Sequence, residues 1–178
     1  SSIEKEIAKI NTIDITVEYF EKFYKTSDLM KRLFDMSIKK SLEKTDKRTY
    51  QAMEAFVHNL NTMHSRAGAQ VPFSSINFGT DISSEGRMVT KNYMLASEAG
   101  LGQGETPIFP ISIFKVKEGV NYNPGDPNYD LFKLSLRVSA KRLFPNWSFL
   151  DSSFNKPYYK AGDYRTEVGY MGCRTRVI

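Results

Sequence analysis

The sequence of 178 residues contains only one cysteine and two histidines. A single thiol cannot form an internal disulfide or an all-cysteine metal site. The two histidines, His58 and His64, lie on one predicted helix, where their spacing places them about 240° apart around the helix axis. One helix cannot bring both side chains to the same ion, so the sequence predicts no protein-built metal site.

Long apolar runs and an export signal are also missing. No hydrophobic stretch approaches the length that crosses a membrane, and residues 1–6 (SSIEKE) lack the pattern of a signal peptide. Without paired cysteines or an export signal, the sequence favours a reducing, cytoplasmic compartment and no membrane partner. A hydrophobic share of 40% and a charged share of 25% are typical of a soluble globular protein that buries a core.

The excess of basic residues is small and dispersed. The formal net charge is +5, and doublets such as Lys39-Lys40 and Lys141-Arg142 have acidic residues nearby, as on a solvated surface. A phosphate-bearing ligand is compatible with this charge. The sequence has no helix-turn-helix, zinc-finger or aromatic-platform signature, so it predicts no specific nucleic-acid partner. A non-enzymatic basic module that binds nucleic acid or a partner protein is the alternative function, and it rests on charge alone.

Neither end of the sequence carries a boundary signal. The chain starts at Ser1 rather than at an initiator methionine, and no helix cap or turn former accompanies Val177-Ile178. We expect both ends to be cuts in a longer protein, whose reading frame continues for several hundred residues. We also expect residues 1–178 to form a single fragment of one domain.

The first third of the chain, residues 1–66, is helical in pattern. Thr26-Ser27-Asp28 offers caps for one helix, and Thr45-Asp46 would open a further, separate helix. The apolar residues of this last helix recur at helical spacing, and Gly68 follows where a C-terminal glycine is expected. They are Met53, Phe56, Val57, Leu60 and Met63.

Strands and helices alternate in residues 67–178. Two amphipathic segments, 84–99 and 127–143, predict helices between three strand-like segments. Connections of this length indicate crossovers between parallel strands, so the predicted fold class is α/β with a largely parallel sheet. The segment from Val168 to Val177 is predicted to be an extended arm or loop. The predicted strands are Phe73 to Phe78, Ile108 to Val116 and Trp147 to Leu150.

Two segments rich in small residues are candidate nucleotide contacts. Gly100-Leu101-Gly102-Gln103-Gly104 imitates a phosphate loop, but it follows a helix and precedes a strand, which is the reverse of the order such loops need. We interpret it as a mobile connection. Ser75 and Asn77 lie in the first predicted strand, and small uncharged donors and acceptors at the carboxyl end of a parallel strand suit a ribose or phosphate. Simple strand packing explains the same residues equally well.

The single cysteine, Cys173, follows a glycine and precedes the arginines Arg174 and Arg176. As a nucleophile it would need a base, yet no histidine lies within a hundred residues of it. In an extended segment the arginines point to the face opposite Cys173, so we expect them to serve the fold or the phosphates of a ligand rather than thiol activation. The residues alone leave three alternatives open: an inert packing cysteine, a nucleophile or a radical thiol.

The segment Gly172-Cys173-Arg174-Thr175-Arg176-Val177 resembles the radical-cysteine loop of the anaerobic (class III, glycyl-radical) ribonucleoside-triphosphate reductases. Further stretches between residues 50 and 178 resemble the same family in the same order, and this shared order is far more specific than any single stretch. The further stretches are residues 51–68, 70–80, 85–89, 104–110, 117–121, 128–132 and 142–146.

The resemblance implies part of a ten-stranded α/β barrel, built from two half-barrels with the cysteine on a finger loop at its centre. Cys173 would then become a thiyl radical that takes hydrogen from the ribose C3′, which frees the 2′-hydroxyl to leave as water. The candidate substrate-binding residues, chosen above from their positions in the sequence, are Ser75, Asn77, Arg174 and Arg176. Because this chemistry uses homolysis of the S–H bond, it needs no histidine base.

The resemblance also implies groups and partners beyond this chain. The parent enzyme would use a glycyl radical, a structural zinc and a separate iron–sulfur/S-adenosylmethionine activase. It would act as a homodimer on ribonucleoside triphosphates, under the control of nucleotide effectors. The sequence lacks the glycyl-radical loop and the zinc-binding cysteine cluster of the family. We therefore expect the isolated chain to bind no cofactor and to be inactive.

Overall fold

The computed structural model describes residues 28–64, 68, 70–160, 163–172 and 175–177. The chain divides into two compact units, Ser1–Lys44 and Thr45–Ile178. The part of the predicted helical pattern that precedes residue 28 lies outside the described residues. That residues 1–178 form one domain fragment stays a prediction. Within the described ranges, no helix combines the length and the apolar character that crossing a membrane requires.

The first described helix, α1 (Asp28–Thr62), runs without a break. The predicted helix start at Thr45-Asp46 is therefore wrong. The Asp46 carboxylate caps no helix there, because it accepts hydrogen bonds from Asn92 Nδ2 at 2.9 Å and from Lys91 Nζ at 3.5 Å. Thr49 Oγ1 donates to the Thr45 carbonyl at 2.9 Å, which keeps that hydroxyl within the helix.

The end of α1 also differs from the prediction, because the helix stops at Thr62 and not near Gly68. Asn61, in the last turn, links the helix to the segment before the second strand. Its Oδ1 accepts hydrogen bonds from the N–H groups of Ile108 and Phe109 at 2.8 and 3.0 Å, and its Nδ2 donates to the Phe109 carbonyl at 2.6 Å. This long-range contact marks the end of α1.

Three parallel strands form the main sheet, in the order β1 (Ser75–Phe78), β2 (Ile111–Val116) and β3 (Asn146–Phe149). Helix α2 (Ser84–Ala99) connects β1 to β2, and helix α3 (Tyr129–Arg142) connects β2 to β3. The predicted α/β fold class, the parallel sheet and both crossovers are confirmed. A parallel sheet with such helices is consistent with a fragment of an α/β barrel.

One face of the sheet carries the hydrophobic core. Phe114 of β2 is fully buried there, and Tyr93 of α2 shares a hydrogen bond of 2.5 Å with Ser112 of β2. Trp147 of β3 donates from Nε1 to Ser135 of α3 at 3.1 Å, so both crossover helices cover this face. The buried cluster consists of Val57, Tyr93, Met94, Phe114, Val116, Leu131 and Val138.

The opposite face of the sheet is more polar, and we call it the polar face. It is formed by the residues that alternate with the core residues along each strand. The register aligns Asn77 of β1 with Ile113 of β2, and Ile113 with Asn146 of β3. The polar face consists of Ser75, Asn77, Ile111, Ile113, Lys115, Asn146 and Ser148.

An antiparallel hairpin follows, made of β4 (Gly169–Met171) and β5 (Thr175–Val177). The segment predicted as an extended arm or loop thus folds back on itself. Gly172 follows β4 and has a φ of 65°, in the left-handed region that favours glycine. Gly172 is buried, and a Cβ added to it would lie 3.5 Å from the ring of Phe73. A residue other than glycine would therefore be strained at this position.

Candidate functional site

The residue with the clearest predicted chemistry lies between the two hairpin strands in the sequence. Cys173 and its neighbour Arg174 are outside the described residues, so their predicted roles stay predictions. The structure does describe the residues on either side of them. It therefore gives the contacts that hold the hairpin.

Strand β1 holds the hairpin through two side chains. The Asn77 amide bonds twice to the backbone of Tyr170: Nδ2 donates to the carbonyl at 2.8 Å, and Oδ1 accepts from the N–H at 3.0 Å. Ser75 Oγ accepts a hydrogen bond from the Gly172 N–H at 3.0 Å. The structure thus brings together two of the predicted substrate-binding residues and the hairpin. Their role in substrate binding itself stays a prediction.

An ionic cluster binds the base of the hairpin, which is the residue Glu167 just before β4, to the sheet. Glu167, just before β4, places Oε2 at 2.6 Å from Lys115 Nζ and Oε1 at 3.6 Å from Lys117 Nζ. Thr80 Oγ1 donates to Oε2 at 3.1 Å, and Lys117 Nζ donates to the Tyr159 hydroxyl at 2.8 Å. The side chains of Lys115 and Glu167 are only 13% and 17% exposed, so solvent screens this pair weakly.

The cluster lowers the pKa of Glu167. Burial of the carboxyl is the largest single influence and would raise the pKa, but the hydrogen bond and charge of Lys115, together with Thr80 and Lys117, outweigh it. A carboxyl whose pKa is lower in the folded state than in the unfolded state stabilises the fold. That stabilisation is complete above the ordinary glutamate pKa of about 4.3. It is lost as the pH falls through the folded-state pKa.

Glu167→Gln is expected to lower the free energy of unfolding by about 1–2 kcal/mol at neutral pH, because Lys115 loses its charged partner. The difference from the wild type should shrink in acid, where the wild-type carboxyl is itself protonated. Chemical unfolding followed by the fluorescence of the single tryptophan, Trp147, measures both effects. Glu118→Gln, a change at an exposed residue, is the control. An equal loss at neutral and acid pH would contradict the ionic explanation.

Arg176 of β5 packs against the turns that precede the hairpin. Its guanidinium carbon lies 3.9 Å from the ring centroid of Phe154 and 4.6 Å from that of Tyr158. Nη1 also donates to the Phe154 carbonyl at 2.9 Å. These contacts serve the fold, which is one of the two roles expected of this arginine. Its contact with a substrate phosphate stays a prediction.

Two buried asparagines shape the carboxyl edge of the sheet, and sequence reasoning did not select them as site residues. Asn121 Nδ2 donates to the carbonyls of Gly79 and Lys115, both at 2.9 Å. Asn128 Nδ2 donates to the carbonyls of Gly79 and Asp81 at 3.1 and 2.8 Å. These hydrogen bonds order the loops at this edge of the sheet. Ligands of parallel α/β proteins bind at the same edge. The available signal was that both asparagines lie in stretches that resemble the reductases.

Hydrogen bonds from Arg142 hold the glycine-rich connection at 100–104 and the end of the helix before it. Arg142 donates from Nε to the Glu98 carbonyl at 2.9 Å, from Nη2 to the Ala99 carbonyl at 2.9 Å and from Nη1 to the Gly104 carbonyl at 2.8 Å. This segment therefore presents carbonyls to a cation, whereas a phosphate loop presents N–H groups to an anion. Its predicted place between a helix and a strand is confirmed, and its mobility stays a prediction.

The described part of the chain contains no group of three His, Cys, Asp or Glu side chains that could hold a metal ion. The structural zinc implied by the resemblance therefore has no donor set among these residues. His58, on α1, belongs to no such group.

Comparison with known proteins gives one family. Residues 7–178 match the sequence profile described as anaerobic ribonucleoside-triphosphate reductase. Proteins of that name are 38% identical to the chain over 133 residues in Enterobacteria phage T4, 32% over 133 residues in Escherichia coli K12 and 31% over 131 residues in Haemophilus influenzae. The matches cover 74%, 74% and 73% of this chain, but 21%, 18% and 17% of the relatives. The chain thus spans about a fifth of the length of these relatives.

Proposed function

The chain belongs to the anaerobic ribonucleoside-triphosphate reductase family, and we propose that it presents the radical cysteine of such a reductase to a ribonucleoside triphosphate. One observation carries the proposal. The hairpin whose two strands flank Cys173 in the sequence is held against the polar face by Asn77 and Ser75. A thiyl radical has to be kept from solvent and oxygen, and a loop supported by a sheet suits that need.

In the proposed reaction the Cys173 sulfur, as a thiyl radical, takes the hydrogen atom from the ribose C3′. An S–H bond forms and the C3′–H bond breaks. The 2′-hydroxyl then accepts a proton and leaves as water while the 3′-hydroxyl gives up a proton, which leaves a radical at C2′ beside a 3′-ketone. Formate or a thiol protein supplies two reducing equivalents: a hydrogen atom that forms the new C2′–H bond, and an electron that, with a proton, returns the ketone to a C3′ radical. Hydrogen returns from Cys173 to C3′, which regenerates the thiyl radical. The glycyl radical implied for the family supplies the oxidising equivalent that first generates it.

Further parts of the proposal concern the whole reductase, of which this chain would be one segment. We propose that it works in the cytoplasm as a homodimer, takes nucleotide effectors and is activated by an iron–sulfur/S-adenosylmethionine activase. Arg174 and Arg176 are proposed to contact the substrate phosphates. For Ser75 and Asn77, the kinetic experiment below separates a substrate contact from a role in holding the hairpin.

The alternative function, a basic module that binds nucleic acid or a partner protein, gains no support from the charges of the crossover helices. Arg87 pairs with Asp130 at 2.8 Å, and Arg137 pairs with Glu98 at 2.7 Å. Arg142 is bound to backbone carbonyls. These cations are engaged within the fold and are not gathered into a binding surface.

An activity assay of the full-length protein under anoxic conditions tests the proposal. After radical activation it is expected to convert ribonucleoside triphosphates to deoxyribonucleoside triphosphates, whereas the 178-residue chain alone forms none. Binding of the chain to generic DNA, measured over a range of salt concentrations, is the parallel assay. Salt-dependent DNA binding combined with an inactive full-length protein would support the basic module instead.

A further inference from the structure

The side chain of Asn77 forms specific hydrogen bonds with one residue of the hairpin. A primary amide carries a donor and an acceptor side by side, and Asn77 uses them on the carbonyl and the N–H of one residue, Tyr170. The amide therefore pairs with the hairpin as a neighbouring strand would pair. No ionisable group takes part in this pairing.

Ser75 adds a second contact with the hairpin, and the two contacts together fix the register of the hairpin against β1. Ser75 and Asn77 stand two residues apart on the polar face, and their partners Gly172 and Tyr170 also stand two residues apart on the hairpin. A slip of the hairpin by one residue would break all three hydrogen bonds. It would also move the backbone of Gly172, which precedes Cys173 in the sequence, by about 3.3 Å.

A displacement of that size matters for the proposed reaction. Reacting atoms have to approach within about 3–3.5 Å, and a misplacement of about 1 Å can cost about 100-fold in rate. We propose that Asn77, assisted by Ser75, is a positioning residue for the proposed reaction: it fixes the register of the hairpin up to Gly172, the residue that Cys173 follows in the sequence. This inference rests on the proposed function for the identity of the reacting group.

The hairpin has other attachments, so loss of the Asn77 contact should shift it rather than release it. Glu167 fastens its base to Lys115 at 2.6 Å, and Arg176 fastens β5 to the Phe154 carbonyl at 2.9 Å. These contacts do not involve Asn77, so they remain to hold the hairpin near the sheet when the amide of that residue is removed. The role of Asn77 can therefore be separated from general stability.

The test uses the full-length reductase with Asn77→Ala, which removes two hydrogen bonds, and the milder Ser75→Ala, which removes one. Asn146→Ala is the matched control, because Asn146 lies in the same row of the polar face, two strands away. We expect kcat to fall by about 100-fold for Asn77→Ala and by about 10-fold for Ser75→Ala. The KM for the ribonucleotide, the glycyl-radical signal in electron paramagnetic resonance and the activity of the control should not change.

Hydrogen exchange supplies a second measurement that needs no activity. The Tyr170 amide should exchange faster in Asn77→Ala than in the wild type and the control. A raised KM with an unchanged kcat would overturn the inference in favour of a substrate contact. Unchanged kcat in both variants, or unchanged exchange at Tyr170, would also overturn it. Failure of the proposed function is recognised separately. Turnover in Cys173→Ser would contradict the radical role of Cys173, whereas the exchange rate of the Tyr170 amide in Asn77→Ala would still test the contact between Asn77 and the hairpin.

Discussion

In the full-length reductase, Cys173→Ser is expected to abolish the formation of deoxyribonucleotides. The serine O–H bond is too strong for a glycyl radical to break, so no reactive radical reaches the ribose. Serine is nearly isosteric with cysteine, so the fold should be preserved. The measurement is the yield of deoxyribonucleoside triphosphate from the activated enzyme under anoxic conditions.

The radical itself is the internal control for this variant. The glycyl-radical signal in electron paramagnetic resonance should form at the wild-type level, because Cys173 acts after it. Unfolding of the variant would reduce both the glycyl-radical signal and the activity, whereas loss of the thiyl site alone would reduce only the activity. Measurable turnover in Cys173→Ser would show that the cysteine is structural. The 178-residue chain should be inactive with either residue.

Gly79→Ala is expected to lower the free energy of unfolding by about 2–4 kcal/mol. Gly79 has a φ of 116°, and a Cβ placed there would lie 2.9 Å from the Lys115 carbonyl oxygen and 3.2 Å from the Phe114 ring. Relief of these contacts requires Gly79 to move. Its carbonyl would then lose its hydrogen bonds to the buried Asn121 and Asn128, so the loops at the carboxyl edge would loosen as well.

Chemical unfolding of the 178-residue chain, followed by the fluorescence of Trp147, measures this loss. Gly102→Ala is the control, since Gly102 lies outside the left-handed region and nothing stands within 4 Å of an added Cβ. Alanine there should change the stability by less than about 1 kcal/mol, with a gain as the expected sign. Similar stabilities for the two variants would show that the sheet accommodates a side chain at Gly79.

Helix α2 and the three parallel strands were predictable because their signals are local. Ser83 precedes α2 and its Oγ accepts a hydrogen bond from the Gly86 N–H at 3.1 Å, as expected of a capping serine. Gly100 ends the same helix with a φ of 86°. The predicted bounds, 84–99, therefore agree with the structure. Local patterns, such as the alternation of apolar and polar residues in the first strand, likewise predicted β1, β2 and β3, with ends within three residues of those observed.

The misplaced start at Thr45-Asp46 shows the limit of such signals. Threonine and aspartate are good caps in isolation, yet the Asp46 carboxylate accepts a hydrogen bond from Asn92, 46 residues away. A tertiary partner thus overrode a local preference. The hairpin of β4 and β5 escaped prediction for a related reason, since three-residue strands carry too little periodicity to be recognised.

The sequence by itself determined the α/β class, the parallel order of the strands and the family, because apolar periodicity and short ordered stretches are properties of neighbouring residues. Only the tertiary structure decided what the polar residues of the site contact. Asn77 and Ser75 meet backbone groups 93 and 97 residues away, and Lys115 meets Glu167 at a separation of 52 residues. The role of a polar side chain depends on which donor or acceptor the fold places beside it. No local pattern in the sequence contains that information.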